Sequence, residues 1–359
     1  MKIAILCVKE KTAATVFDHL DSFKLFSKNE IKHIDVLKDI INRDILNGFD
    51  LIVIHYSVCL FNDDICFPWL RILLRDFTGK KVCFIQDEYR RVDEIVENLI
   101  YIKADLLFTC VPESEIEKVY PSCKLPILKK INVLTGYVPK DLLQLPDVPY
   151  ESRQLDVVYR ARKVPTWLGR LGQEKWEVAD KFSNDAKKDD LKTDISYHEK
   201  DRIYGDDWIT FLQNSKATLG CESGASIFDF SGEIQQNVES YEAQHPDAPF
   251  SKVQELFFAD LENKIKLNQI SPRCFEAASL KTLMILYEGD YSGILIPWRH
   301  YIPLKKDHSN MEEIVETLSC KKSWQKVVGF AYEEVALNPV YSFEHFISTF
   351  DQEVKEITG

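Results

Sequence analysis

The chain of 359 residues is 45% hydrophobic and 28% charged, an ordinary globular balance in a length that one core seldom serves, so two domains are expected. Lys and Arg total 45 against 57 Asp and Glu, a net charge of −12. That balance argues against nonspecific nucleic-acid binding, which needs clustered positive charge, and leaves room only for a local basic pocket or a local membrane-contacting patch.

Residues 1–140 alternate short apolar runs with amphipathic stretches. The pattern predicts strands at Lys2–Val8, Lys32–Val36, Phe49–Tyr56, Lys81–Ile85 and Leu106–Thr109, with helices at Ala13–Phe26, up to Leu46, at Pro68–Asp76 and at Asp93–Ile102. Short apolar strands separated by helices indicate βαβ units and a parallel sheet covered on both faces, a Rossmann-like half. Gly and Pro punctuation from Leu134 to Pro149 then breaks the alternation. A second half restarts at Leu155–Tyr159, with a helix over Leu171–Phe182 and further strands near Asp194–Tyr197, Ala217–Cys221, Thr282–Tyr287 and Tyr301–Leu304. Helices are expected near Trp208–Gln213, Phe275–Leu280 and Met311–Leu318. The polar stretch 230–269, helical from Val253 to Lys266, reads as an insertion in the second half, and the chain ends in an amphipathic helix, Phe343–Ile357. The expected division is 1–145 plus the terminal helix at about 340–359, and 150–335 carrying the insertion.

Met1-Lys2-Ile3-Ala4-Ile5-Leu6 opens as a strand with no signal-peptide pattern after it, and no apolar run approaches a membrane span. The nine cysteines are odd in number, contain no CxxC pair and sit mostly in apolar runs, the pattern of buried free thiols. Cytoplasmic location follows, with peripheral contact at the inner membrane face as the closest approach to lipid and no stable insertion. Metal-site spacing is absent. So are GxGxxG, GxxxxGK[ST] and GxSxG, which argues against dinucleotide, P-loop and nucleophile-elbow chemistry.

Ligands in open α/β sheets bind outside the carboxyl ends of strands, and five such turns carry unusual polar content. His55-Tyr56-Ser57 follows the third strand and offers a base, or equally a hydrogen-bonded structural imidazole. Gln86-Asp87-Glu88-Tyr89-Arg90-Arg91 offers two carboxylates for acid/base work, or a helix start with ion pairs. Arg160, Arg162, Lys163 and Arg170 concentrate positive charge near a helix start, which suits a diphosphate or a solvated basic face. Cys221-Glu222-Ser223-Gly224-Ala225-Ser226 allows close backbone approach to a ligand, or a tight turn with a serine cap. Ile270-Ser271-Pro272-Arg273-Cys274-Phe275-Glu276 sets an Arg and a Glu three apart at a helix start, where a carboxylate can accept from two neighbouring ribose hydroxyls and an Arg can hold a phosphate.

The runs SPRCFEAAS, CESGAS, RARKVPTWLGRLGQEK and LTGYVP resemble segments of GT-B glycosyltransferases of the group-1 and spore-maturation-protein-like families, with QDEYR a weaker match in the first half. The resemblance implies a bacterial α/β enzyme of cell-surface polysaccharide biosynthesis, with two facing Rossmann-like domains, an interdomain cleft and a C-terminal crossover helix. It implies that the second domain binds a nucleotide-sugar donor, that the first binds a hydroxyl acceptor (glycan, lipid-linked glycan or small molecule), and that neither metal nor cofactor is required. By position Glu276 would bind the ribose, and Arg273, Arg160 and Lys163 the diphosphate, with Arg162 and Arg170 nearby. Glu222, Ser223, Gly224, Ser226, Asn268 and Ser271 would line the donor pocket. Asp87, Glu88 and His55 would supply a catalytic base if the reaction inverts. Asn268 stands where many retaining members carry a glutamate, eight residues before Glu276, so a catalytic carboxylate is not expected there. A nucleotide-sugar epimerase or hydrolase on the same scaffold, and a non-catalytic nucleotide- or sugar-binding protein, are the competing readings.

Overall fold

The computed structural model describes residues 1–10, 14–126 and 128–359, so Ala13, the expected start of the first helix, lies outside the described residues. In chain order the first elements are β1 (Lys2–Cys7), α1 (Ala14–Phe26), β2 (Glu30–Asp35), α2 (Arg43–Leu46), β3 (Leu51–Ile54), α3 (Pro68–Asp76), β4 (Lys80–Ile85), α4 (Val92–Ile102), β5 (Leu106–Thr109), α5 (Ile116–Val119) and β6 (Lys129–Asn132). There follow β7 (Leu155–Arg160), α6 (Gly169–Ala186), β8 (Thr193–Ser196), α7 (Gly205–Gln213), β9 (Ser215–Gly220), α8 (Glu233–Gln244), α9 (Phe250–Phe257), α10 (Pro272–Ser279), β10 (Leu283–Tyr287), β11 (Ile302–Leu304), α11 (Met311–Ser319), α12 (Lys321–Ala331) and α13 (Phe343–Thr358). Four of these escape the periodicity: α5, β6, α8 and α12. Lys129-Lys130-Ile131-Asn132 is polar because β6 is a sheet edge, where lysines suit solvent, and α12 lies beyond the last expected helix of the second half.

The chain forms two compact units. Unit 1 comprises Met1–Leu134, Ile227–Leu267 and Glu344–Gly359, and unit 2 comprises Thr135–Ser226 and Asn268–Phe343. The stretch expected as an insertion in the second half therefore belongs to unit 1. Its apolar ends explain why: Phe228, Ile265 and Leu267 join the core beside Val92, Ile95 and Leu125. Backbone bonds hold it there, from Asp229 N to Tyr89 O (2.8 Å) and from Asp93 N to Phe230 O (3.0 Å). The stretch contains α8 and α9 rather than one helix from Val253 to Lys266.

Unit 1 is a six-stranded parallel sheet in the order β2-β1-β3-β4-β5-β6. Every residue of β3 and β5 is buried, as in sheets covered on both faces. An aromatic cluster of Phe23, Phe84, Phe108, Phe346 and Phe350 fills part of its interior, and the last two come from α13. Phe350 meets Phe23 edge-on at 4.9 Å, and Phe84 stacks on Phe108 at 4.6 Å, geometries worth about 0.5–1.5 kcal/mol each beyond area burial.

Unit 2 is a five-stranded parallel sheet in the order β11-β10-β9-β7-β8. Its core gathers Val157, Phe182, Leu219, Ile285, Ile302 and Trp324. The α10 start is fixed locally: Ser271 caps it by accepting from Arg273 N (3.4 Å), and Pro272 occupies its first turn without losing a needed donor. Among the described residues no helix is long and apolar enough to cross a membrane.

Candidate functional site

In unit 2 the polar groups gather where β7, β9 and β10 end. Glu276 lies in the middle of α10, buried to 9% exposure. Its Oε2 accepts from the indole Nε1–H of Trp208 on α7 (2.8 Å). Among the described residues its Oε1 has no hydrogen-bond partner, and it is not sealed from solvent. Burial pushes the Glu276 pKa up, while the Trp208 bond and the Arg273 charge draw it back down. Arg273 is exposed, stacks its guanidinium over the Trp208 ring at 4.7 Å, and donates to the Arg160 carbonyl at the end of β7. One side chain, Trp208, thus orients both the carboxylate and the cation.

Arg160 itself is not a free cation. It is buried, its guanidinium lies 4.4 Å over Phe211, and it donates to Asp201 O (2.9 Å), Tyr159 O (3.0 Å), Asp194 O (2.9 Å) and Asp194 Oδ1 (2.8 Å). Four of its five donors go to these bonds, which tie β7 to β8 and to the turn after β8. The basic run after β7 disperses likewise. Lys163 sits over Trp176 at 4.6 Å and Tyr197 at 5.6 Å, Arg170 pairs with Glu177, and Arg162 points to an exposed surface. Of the expected diphosphate cluster, only Arg273 stands beside Glu276.

The Cys221–Ser226 turn is largely a scaffold. Buried Glu222 accepts from Asp290 N (3.0 Å) and Tyr291 N (2.9 Å) through Oε1, and from Asn268 Nδ2 (2.7 Å) through Oε2. Asn268 therefore holds Glu222 in place. A Cβ at Gly289 would lie 2.7 Å from the Glu222 carboxyl, so glycine there is a condition of the network. Ser223 exchanges backbone bonds with Gln269 (2.8 and 3.0 Å), and Gly224 takes φ +109°, a conformation that L side chains rarely adopt. Ser226 Oγ accepts from Leu171 N (3.2 Å) in the first turn of α6. Facing the α10 start is a strained turn, Tyr291-Ser292-Gly293, with φ of +49°, +58° and +70°. Ser292 Oγ accepts from Ile270 N at 3.1 Å. Consecutive left-handed residues of this kind are costly and concentrate at ligand sites.

In unit 1 the three base candidates separate by burial. His55 is completely buried. Its Nδ1 accepts from Ser57 N (3.1 Å), so its proton resides on Nε2, aimed at His19 Nδ1 (3.0 Å). Burial pushes the pKa of both imidazoles down, His19 to about 3. A sealed imidazole with both nitrogens engaged cannot serve as a base to a bound molecule. Glu88 is also completely buried and accepts from Thr109 Oγ1, Tyr120 Oη (2.6 Å) and Cys110 N (2.6 Å). Burial raises its pKa to about 7. Asp87 alone is exposed, at φ +58° beyond the end of β4.

Two groups went unmarked by pattern. Trp208 lay in an expected helix, and its signal is the aromatic pair at i, i+3 with Phe211, which offers two faces to Arg273 and Arg160. Tyr291–Gly293 carries no compositional mark except its glycine.

No protein-family model matches the chain, and no curated protein matches it in sequence. Solved structures match its fold. An alpha-glucosyltransferase in complex with UDP and a 13-mer DNA containing an HMU base superposes with TM-score 0.58 at 11% identity, covering 100% of both chains. HepE from Anabaena in complex with UDP-glucose gives TM-score 0.52 at 9% identity over 100% of this chain and 99% of that one. A DNA-modifying beta-glucosyltransferase gives 0.51 at 12% over 99% and 97%. The chain thus has the α/β fold of these GT-B glycosyltransferases, with a parallel sheet in each of its two units.

Proposed function

We propose that the protein is a glycosyltransferase that takes a nucleoside-diphosphate sugar in unit 2 and a hydroxyl acceptor in unit 1. The observation that carries this reading is Glu276: a buried carboxylate with one oxygen fixed by Trp208 and the other unpartnered, beside an exposed arginine stacked on the same indole. A carboxylate held this way accepts from a vicinal diol such as a ribose, and the adjacent guanidinium supplies a donor fork for a phosphate. In transfer, charge builds on the departing diphosphate while the sugar becomes oxocarbenium-like. A preorganised Arg273 stabilises that charge without reorganising. The remaining named residues are read as supports: Arg160, Glu222, Asn268 and Ser226 hold the turns around the pocket. If the reaction inverts, Asp87 is the base in reach of an acceptor. The donor is a substrate, and no cofactor is assigned.

Of the solved neighbours, two are complexes with DNA and a third is a DNA-modifying enzyme. That acceptor belongs to those proteins. A net charge of −12 favours a glycan or other small hydroxyl compound here. The first test is thermal unfolding with UDP-, GDP-, CMP- and dTDP-sugars. A nucleotide at 100 times its Kd stabilises by about 2.7 kcal/mol, and failure of all four to shift the melting curve removes the reading. Free sugar or an epimerised donor formed without acceptor would redirect it to a hydrolase or an epimerase.

A further inference from the structure

Arg90 in unit 1 is the odd arginine of this chain. The chain has twelve, and ten of them make a hydrogen bond or an ion pair with a named partner. Of the other two, Arg162 is exposed and solvated. Arg90 is partly buried, and its Nε is shut off from solvent with no hydrogen-bond partner. Among the described residues its one cation–ring contact is with Phe61, 5.3 Å from the guanidinium carbon. The neighbouring acids are engaged elsewhere or do not reach it. Asp229, whose backbone bridges to that of Arg90, spends its carboxylate on Gly232 N (2.9 Å) and Gln235 N (2.8 Å) at the start of α8. Glu94 pairs with Arg91. Asp87, three residues earlier, makes no ion pair with it. Both charges act on the same neighbour, since the Cys59 thiol, raised chiefly by burial, is pulled down by Arg90 and pushed up by Asp87. A partly desolvated cation without a counter-charge is costly, and such groups are ordinarily paired. The place is also where ligands of parallel sheets sit, beyond the carboxyl end of β4.

We propose that Arg90 is the anion-recognition residue of the acceptor site, and that the acceptor is a sugar carrying a phosphate or a carboxylate. With Nε covered, the anion approaches the two Nη groups end-on, and the Phe61 face keeps the guanidinium plane fixed. This inference rests on the reading of unit 1 as the acceptor side.

The test is calorimetric titration with glucose 6-phosphate, glucuronate and glucose, on the parent, Arg90→Gln and Arg90→Lys. UDP is kept saturating throughout, so that anions cannot report on the donor pocket. The parent is expected to bind at least one charged sugar ten times or more tighter than glucose. Arg90→Gln should erase that preference, and Arg90→Lys should restore part of it. The two charged sugars separate a phosphate from a carboxylate site. Because the Arg90 side chain makes no hydrogen bond among the described residues, the variants should melt no lower than the parent. Equal affinity for all three sugars in the parent, binding of none of them, or an undiminished preference in Arg90→Gln overturns the proposal. UDP saturation is read first by its own thermal shift. Where UDP gives no shift, GDP, CMP or dTDP takes its place; failure of all four sinks the donor reading, whereas nucleotide binding without a charged-sugar preference sinks only this inference.

Discussion

Glu88 in unit 1 and Glu276 in unit 2 are both carboxylates buried near strand ends, and burial raises the pKa of both. Glu88 has both oxygens engaged by three donors, all from its own unit. Glu276 has one oxygen engaged by one donor. A buried polar group that is fully satisfied is architecture, while one left half satisfied has capacity for something else. Burial and a perturbed pKa alone would rank Glu88 first, since its shift is the larger. The count of filled acceptor positions reverses that ranking.

The comparison can be broken at either end. Glu88→Ala leaves Thr109, Cys110 N and Tyr120 without their acceptor, at about 1–3 kcal/mol each, so denaturant unfolding should show a loss of roughly 4 kcal/mol. Donor affinity of the folded fraction should be unchanged, and a variant as stable as the parent would make Glu88 a functional group after all.

A pH series sharpens the same point. The Glu88 pKa is raised from 4.5 to about 7 in the folded protein, so the folded state holds its proton longer than the unfolded chain does. Its contribution is therefore complete below pH 4.5 and is lost as pH rises through 7, on the order of 3 kcal/mol. His19, depressed to about 3, works the other way, losing stability as pH falls below 6.5. The difference between Glu88→Gln and the parent isolates the carboxyl, and the change of that difference with pH should be confined to pH 4.5–7, with a constant value on either side.

Glu276→Ala should weaken nucleotide-sugar binding about 100-fold, or about 2.7 kcal/mol, measured by calorimetry. Its melting temperature should stay within a few degrees of the parent, because only one hydrogen bond is lost. A smaller change follows from Trp208→Phe, which keeps a ring under Arg273 and removes the indole donor. KM for the donor should rise about tenfold with kcat nearly unchanged. Since the Trp208 bond draws the Glu276 pKa down, its removal should move the acid loss of donor binding to higher pH. Smallest of all, Arg162→Ala at an exposed position should shift stability by less than about 0.5 kcal/mol.

Much of the fold was legible because parallel strands buried on both faces must be continuously apolar. Pro68–Asp76 and Leu106–Thr109 fall where the pattern puts them. The edge strand β6 escaped because an edge need not be apolar, and the stretch 230–269, expected in the second half, lies in unit 1 as far as Leu267 because membership depends on which core its ends enter. At the site, the SPRCFE run disclosed Glu276 and Arg273, since a cap, a proline and a charge pair are local signals. Arg160, Glu222 and Asn268 were legible as polar groups but not as spent ones. Whether a guanidinium is free depends on carbonyls 34 and 41 residues away along the chain, as those of Asp194 and Asp201 are from Arg160. No local spacing contains that information.

The placement of Glu344–Gly359 in unit 1 has a consequence for biosynthesis. During translation β1 to β6 emerge early, yet Phe346 and Phe350, which complete the aromatic interior with Phe23, Phe84 and Phe108, emerge about 210 residues later. At ~5–20 residues per second that delay is on the order of 10–40 s. Unit 2, whose last residue is Phe343, is fully synthesised before it ends. The half begun first is the half finished last, and until then its nascent sheet carries an unfilled apolar surface that a ribosome-bound chaperone would be well placed to cover.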